Sequence, residues 1–381
     1  MIDQDLVLWD AGDEIATKIA IAGDFLPAGN LIFPPGAGWR EMARNLAGCF
    51  EDVAATFVNL ECAIPRESLP SRPLVGIGQI VLACPGSLEY LQSIRAQPVG
   101  MANNHSYDFR EAGVTQTRDT ILSHGMFPLG AGRTLSEPPE VFVWRGPNSL
   151  RVGFWAAAKA AHDIATVHTP GAEPATPERA LEAVQEMKRR GATFCIALLH
   201  AGVLRTNRPD PEDAGLMDML AKSGFDIVAA SHSHRISGYC RVNFAQDHPS
   251  FSFYSLGSLV SGYIASPVER EGLIVVAGFN RNGKFRRLEI RPVLLDEGGF
   301  GAAPDKMTRH KILERFRQLS AEIADGCCEK MFYRELSPGL IRLYLRDIRA
   351  SFRHRGVRGM AIKMSRIRLR HVRRLVHKVT G

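Results

Sequence analysis

The sequence predicts an α/β fold, and two of its features carry that expectation. Five short apolar runs rich in Val, Ile, Phe and Ala read as buried strands: KIAIAGD ending on Asp24, TFVNLE on Glu61, PVGMANNH on Asn104 and His105, FCIALLH on His200, and DIVAASHSH on His232 and His234. Segments with helical start and stop signals lie between them, so strand and helix alternate from about Thr17 to Leu295. Each of the five runs stops on a residue able to ligate a metal. In open α/β sheets the ligand crevice lies beyond the carboxyl ends of the strands, so these side chains are expected to converge.

Taken in order, the elements begin with MIDQDLVLWDAGDE, which is acidic where a secretory signal would be basic and then apolar. No stretch approaches the roughly 18 consecutive apolar residues that span a bilayer. A cytoplasmic protein is expected. The loops FPPGAG, PRESLPSRP and HTPGAEPATPE interrupt the first block and are placed to cover the crevice. In TPERALEAVQEMKRRG, Thr176 caps a helix, Pro177 sits in its first turn and Gly191 follows its last basic residues. A second helix fits PEDAGLMDMLAKSG and stops at Gly224. After Ser231 the texture changes to SFSFYSLG, GLIVVAGF and KFRRLEIRPVLL, with Asn282-Gly283 as a hairpin turn, and this half reads as antiparallel sheet. The Gly/Ala-rich passage from Asp296 to Lys306 reads as a linker. The expected division is therefore a domain over 17–295, a linker over 296–306 and a helical, strongly basic C-terminal extension over 307–381.

Charge is distributed unevenly. The net +7 hides a segment, Ile341 to Gly381, with thirteen Lys and Arg against the single acid Asp347, which leaves the remainder acidic. In that segment basic residues interleave with apolar ones from Phe352 to Val376, a pattern that suits an anionic membrane surface or an anionic polymer. A solvated helix with one face on the core is the plainer alternative. Nucleic acid fits less well, because the segment carries few aromatics and no reader motif. Seven scattered cysteines with no CxxC indicate neither a disulfide framework nor a thiolate zinc site, in keeping with a reducing compartment.

Two acids, a carboxamide and several imidazoles at one end of a sheet are the donor mixture of a first-row divalent metal centre, with enough groups for two ions. Each residue has a blander reading alone. Asp24 after Gly23 suits a turn, Glu61 a solvated strand end, Asn104 a turn, and a lone His105 or His200 a hydrogen-bonded structural role. His232 and His234 alternate so as to share one face of a strand, where both could simply meet solvent. Their recurrence at successive strand ends favours the metal reading.

GDFLPAGN, NLECAIP, ANNHSYDF, LLHAG, SHSH and FYSLGS occur in the order and approximate spacing of the bacterial capsule-synthesis protein CapA, or poly-γ-glutamate synthesis, family, which this chain resembles from roughly Lys18 to Leu259. Those proteins form a branch of the calcineurin-like metallophosphoesterases. The resemblance implies a four-layer α/β/β/α sandwich and two divalent ions, Mn, Fe or Zn. It implies that Asp24 binds the first ion and Glu61 bridges both. Asn104 and His200 then bind the second, and His232 and His234 supply one imidazole to each. His105 would be the catalytic histidine, and Asp108 either orients it or caps the helix beginning near Arg110. The chain departs from the family pattern at Leu26, where the wider superfamily has a metal-binding His. It departs again in the surroundings of His200 and His232, at Arg110 in place of Gly, and at Ser258 in place of Asn.

The reaction so implied is attack by a metal-bound hydroxide on a phosphate ester or anhydride, in a phosphorylated small molecule or polymer precursor, during capsule or poly-γ-glutamate synthesis. The competing expectation is a non-hydrolytic assembly factor that binds membrane or polyanion through its basic tail. On either reading the protein is expected in the cytoplasm or peripheral on the inner membrane face.

Overall fold

The structure is a computed structural model that describes residues 6–65, 81–159, 161, 163–243, 249–335 and 349. Strand residues alternate between two cores with a period of two, because successive side chains point to opposite faces of a sheet. In the strand Thr17–Gly29, Ala20 and Ala22 join an outer core while Ile19 and Ile21 join an inner one. In Phe194–His200, Ile196 and Leu198 face the inner core, and Cys195, Ala197 and Leu199 face a third cluster under helices. Both faces of these strands are therefore buried, which explains why the runs read as almost continuously apolar.

Nine strands form the first sheet and six the second, among the described residues. In the first, Thr17–Gly29, Ala55–Leu60 and Ala96–Gly100 run parallel, with Glu271–Phe279 and Phe285–Leu295 continuing the sheet antiparallel. In the second, Arg151–Ala158, Phe194–His200 and Ile227–Ser231 run parallel. The sheets meet through residues such as Phe57 and Phe154, whose rings cross edge to face at 5.1 Å. Helices Leu88–Ser93 and Arg110–Ser123 cover the outside of the first sheet, and Pro177–Arg189 and Pro211–Lys222 cover the second. The architecture is the expected four-layer α/β/β/α sandwich.

Local signals place the helix ends. Thr176 accepts from Arg179 N at 3.3 Å to cap Pro177–Arg189, and Gly191 takes φ +86° just beyond its end. Asn280 to Lys284 closes the expected hairpin between Glu271–Phe279 and Phe285–Leu295, with Gly283 at φ +69°.

Four expectations need correction. Asp24 lies inside a strand rather than at its end, because Ser258–Gly262 pairs with Asp24 to Gly29 and prolongs it. The half after Ser231 is mixed rather than antiparallel: SFSFYSLG divides, Ser250–Phe253 joining the second sheet parallel to Ile227–Ser231 and Ser258–Gly262 joining the first parallel to Thr17–Gly29. His232 and His234 follow their strand rather than continuing it, with φ of +124° and +56° that no strand allows. The passage 296–306 is packed rather than free: Phe300 is fully buried and Gly301–Ala302 pairs with Phe285–Leu295. The helix after it, Lys306–Ala324, places Ile312, Leu313, Phe316 and Leu319 in the inner core, and Phe316 stacks on Tyr239 at 5.5 Å. Most of the basic extension, and the segment PRESLPSRP after Pro65, lie outside the described residues.

Candidate metal centre

The parallel strands of both sheets end on the same side of the sandwich, and their ends bring Asp24, Glu61, Asn104, His200, His232 and His234 together. Glu61 follows Ala55–Leu60 directly, Asn104 and His105 lie just past Ala96–Gly100, and His200 closes its own strand. Two groups of donor atoms result, Asp24 with Glu61 and His234, and Glu61 with His200 and His232, each within 4.8 Å. Glu61 belongs to both. Asn104 Oδ1 sits 2.5 Å from His200 Nε2, which adds a carboxamide oxygen to the second group.

Backbone geometry sets these positions. Asp24 N donates to Gly257 O at 3.0 Å, and a Cβ on Gly23 would lie 2.0 Å from that same oxygen. Only glycine lets the two chains cross so closely. Asp24 Oδ2 accepts from His232 N at 3.0 Å, which ties the first sheet to the turn carrying two imidazoles. His232 and His234 hold left-handed backbone conformations that cost a non-glycine residue energy, a pattern concentrated at functional sites.

A second layer of amides orients the ligands. Asn59 Nδ2 donates to Asp24 Oδ1 at 2.7 Å and lies 3.2 Å from His200 Nδ1. Asn103 donates to Asn59 Oδ1 at 3.1 Å and to Leu60 O at 2.7 Å, and its own Oδ1 accepts from His105 N. Asn59 escaped the sequence reading although it was visible there as the polar residue two positions before Glu61, on the same strand face. Ser258, which departs from the family pattern, places Oγ 3.3 Å from His234 Nδ1.

At the rim, Asp108 Oδ2 sits 2.8 Å from His105 Nδ1 and also accepts from Val81 N at 2.8 Å. Asp108 therefore orients His105. It does not cap the helix, whose N-cap Phe109 makes no side-chain cap bond. Arg110 opens that helix at φ +59°, a left-handed conformation that favours glycine. Leu26 is buried in the outer core, so the group containing Asp24 holds one imidazole where the other holds two.

Electrostatics separate the groups sharply. Burial opposes ionisation of Asp24, but the His234 hydrogen bond and favourable electrostatic interaction with the His200 and His234 rings outweigh it and hold the carboxyl well below the usual range. Glu61 is pushed well above its ordinary value, by burial first and then by the charge of Asp24. Burial lowers His200 to about 3 despite the favourable charge of Asp24, and burial together with His200 lowers His232 well below its ordinary value. His200 and His232 are thus neutral, with lone pairs available for a cation.

The chemistry of these donors fits divalent metal binding. Glu61 Oε2 and His232 Nδ1 are buried without a hydrogen-bond partner, and such orphaned atoms call for a counter-group. A divalent cation held by these residues would supply that counter-group and offset the penalty on the Glu61 charge.

Comparison with known proteins agrees with the motif order. The curated PGA biosynthesis protein CapA of Bacillus subtilis (strain 168) is 25% identical over 216 residues, 55% of this chain and 54% of that protein. The match spans about half the length of that relative. Among solved structures, the 5'-nucleotidase precursor from Thermus thermophilus aligns with 79% of this chain and 58% of its own, at 13% identity and a TM-score of 0.46. The calcineurin-like phosphoesterase YfkN from Bacillus subtilis aligns with 80% of this chain and 97% of its own, at 11% identity and a TM-score of 0.43. The family of bacterial capsule synthesis proteins PGA_cap matches residues 18–263, a span that contains every residue of the centre. This chain therefore belongs to the bacterial capsule synthesis protein PGA_cap family.

Proposed function

We propose that this protein is a dinuclear metal-dependent phosphoesterase acting in capsule or poly-γ-glutamate synthesis. The observation that carries the reading is the sharing of Glu61 between two donor groups, with one of its oxygens and His232 Nδ1 unpartnered. Asp24, Glu61 and His234 would hold one ion, and Glu61, Asn104, His200 and His232 the other. Mixed carboxylate, amide and imidazole donors suit Mn, Fe or Zn. Two such ions supply Lewis-acid activation of water and neutralise charge on a phosphoryl group.

The chain's own residues do the rest. Asn59 and Asn103 hold Asp24 and the adjacent strand end in place, so the donor set is organised before any ion arrives. Asp108 fixes His105 through Nδ1 and leaves Nε2 to meet a substrate oxygen. A proton held at His105 Nε2 passes to the leaving oxygen of a phosphate ester or anhydride, while Asp108 steadies the ring. The substrate class is a phosphorylated small molecule or polymer precursor. The basic segment 341–381 would bind an anionic polymer or the inner face of an anionic membrane, placing the protein in the cytoplasm and peripheral on that surface. No helix among the described residues is long and apolar enough to cross a membrane.

The test is elemental analysis of purified protein beside His200→Ala, with hydrolysis of an aryl phosphodiester and monoester. Close to two first-row metals per chain, lost together with turnover in the variant, is the expected result. No metal and no turnover after Mn²⁺ is supplied would transfer the function to a non-hydrolytic assembly factor.

A further inference from the structure

The two loops that carry imidazoles are fastened to each other and then to the C-terminal helix Cys328–Glu335. Ala201 N donates to Ser231 O at 3.0 Å, Arg205 N to Ser233 O at 2.8 Å, and Asn207 Nδ2 to Ile236 O at 2.8 Å. The loop after His200 and the turn through His232 and His234 are therefore tied to each other by three hydrogen bonds. Neither is braced by a regular element of its own, and both contain left-handed residues, Arg205 at φ +63° besides the two histidines.

What holds this unit from outside is the far end of the chain. Glu335 accepts from Asn207 N at 2.8 Å and Arg208 N at 3.2 Å, two consecutive backbone amides of the loop after His200. The same carboxylate lies 3.4 Å from Arg208 Nη1 and 3.6 Å from Arg235 Nη1, and Arg235 is the residue directly after His234. Arg208 is gripped a second time by Glu322 of the preceding helix, at 2.7 and 2.9 Å. Phe332, fully buried, packs on Val203 beside Tyr333. Arg235 also faces Glu269 at 3.7 Å, and Arg205 faces Glu269 at 3.4 Å, so a second carboxylate shares Arg235 with Glu335 and adds Arg205.

We infer that Glu335 is a positioning residue for the metal centre: through Asn207, Arg208 and Arg235 it holds the loops bearing His200, His232 and His234 in register. This extends the metal-centre reading and rests on it. The helix lies beyond the 18–263 span matched by the family, so the role belongs to this chain's C-terminal part.

The experiment compares the full chain with Glu335→Ala, Glu335→Gln and a control, Asp305→Ala, which removes the cap of helix Lys306–Ala324 without touching the loops. Mn²⁺ affinity and amide hydrogen exchange at 201–208 and 231–236 are measured, the exchange on metal-free protein. Glu335→Ala is expected to weaken Mn²⁺ binding about tenfold and to speed exchange in both loops. Glu335→Gln, which keeps an acceptor for Asn207 N, is expected to recover much of both. Unchanged affinity and exchange in Glu335→Ala overturns the inference, as does an equal effect of Asp305→Ala. If the unaltered protein binds no Mn²⁺, the metal reading fails and the exchange comparison alone decides whether Glu335 positions the loops.

Discussion

Asp24 and Glu61 are both fully buried carboxylates, yet their surroundings drive them in opposite directions. Asp24 collects an amide, a backbone N–H and an imidazole, whereas Glu61 meets the Asp24 charge with one oxygen unpartnered. A raised carboxyl pKa favours the folded state below the ordinary value of 4.5 and penalises it as pH rises. Glu61→Gln should therefore stabilise the metal-free protein at neutral pH by about 1 kcal/mol while lowering metal content at both positions. Asp24→Asn should lower it at one; equal losses from the two substitutions, read by elemental analysis, would contradict Glu61 as the bridge. His200 runs the other way. Its pKa is depressed to about 3 from 6.5, so its contribution is complete above 6.5 and is lost as pH falls towards 3. In chelator, thermal midpoints should drop across that window, with a shallower slope in His200→Gln; an unchanged slope would refute the assignment. The six residues that converge were legible as polar residues closing apolar runs in the sequence, while Asn59, visible as a polar residue in such a run, could not be assigned a role there, because its partner Asp24 arrives from the neighbouring strand.

Elements here are prolonged or cut short by their neighbours. Thr17–Gly29 continues past Asp24 because Gly257 turns at φ +67° and sends Ser258–Gly262 alongside it. The chain reaches that turn from the second sheet, so Tyr254 to Gly257 is the crossing between layers. The narrowest point of the crossing is Gly23 against Gly257 O, both of them backbone and unable to yield. Gly23→Ala is expected to destabilise the protein by at least about 2 kcal/mol and to displace Asp24, with loss of bound metal. Denaturant unfolding and metal analysis check it together, and a variant of full stability would show that the crossing relaxes. The helices at Pro177 and Pro211 were legible because their caps and stops are local. SFSFYSLG misled because a short apolar run does not reveal that its two halves pair with different sheets.

Across the whole molecule, the C-terminal part is joined to the sandwich more closely than a Gly-rich connection suggests. Phe300 fills the outer core, Phe316 the inner one, and Glu335 reaches the loops of the centre. The proposed role of the basic segment is separable from that attachment. Deleting Ile341 to Gly381 leaves Glu335 in place, so it should release the protein from anionic liposomes while leaving metal content unchanged. Liposome binding that survives the deletion would remove the segment from the membrane role. Binding lost together with metal would show that the segment also supports the centre.

The order of strands and helices, the ends of the best-capped helices and the donor set were set down locally, by periodicity, capping chemistry and the polar residues that close apolar runs. Tertiary structure decided the rest. Which oxygen of Glu61 stays unpartnered, which imidazole joins which acid, and that Asp108 serves His105 rather than a helix end all depend on two sheets brought face to face. Those contacts join residues far apart in the chain, and hydrophobic burial between the sheets selects them. No local pattern encodes which distant group will fill a given space.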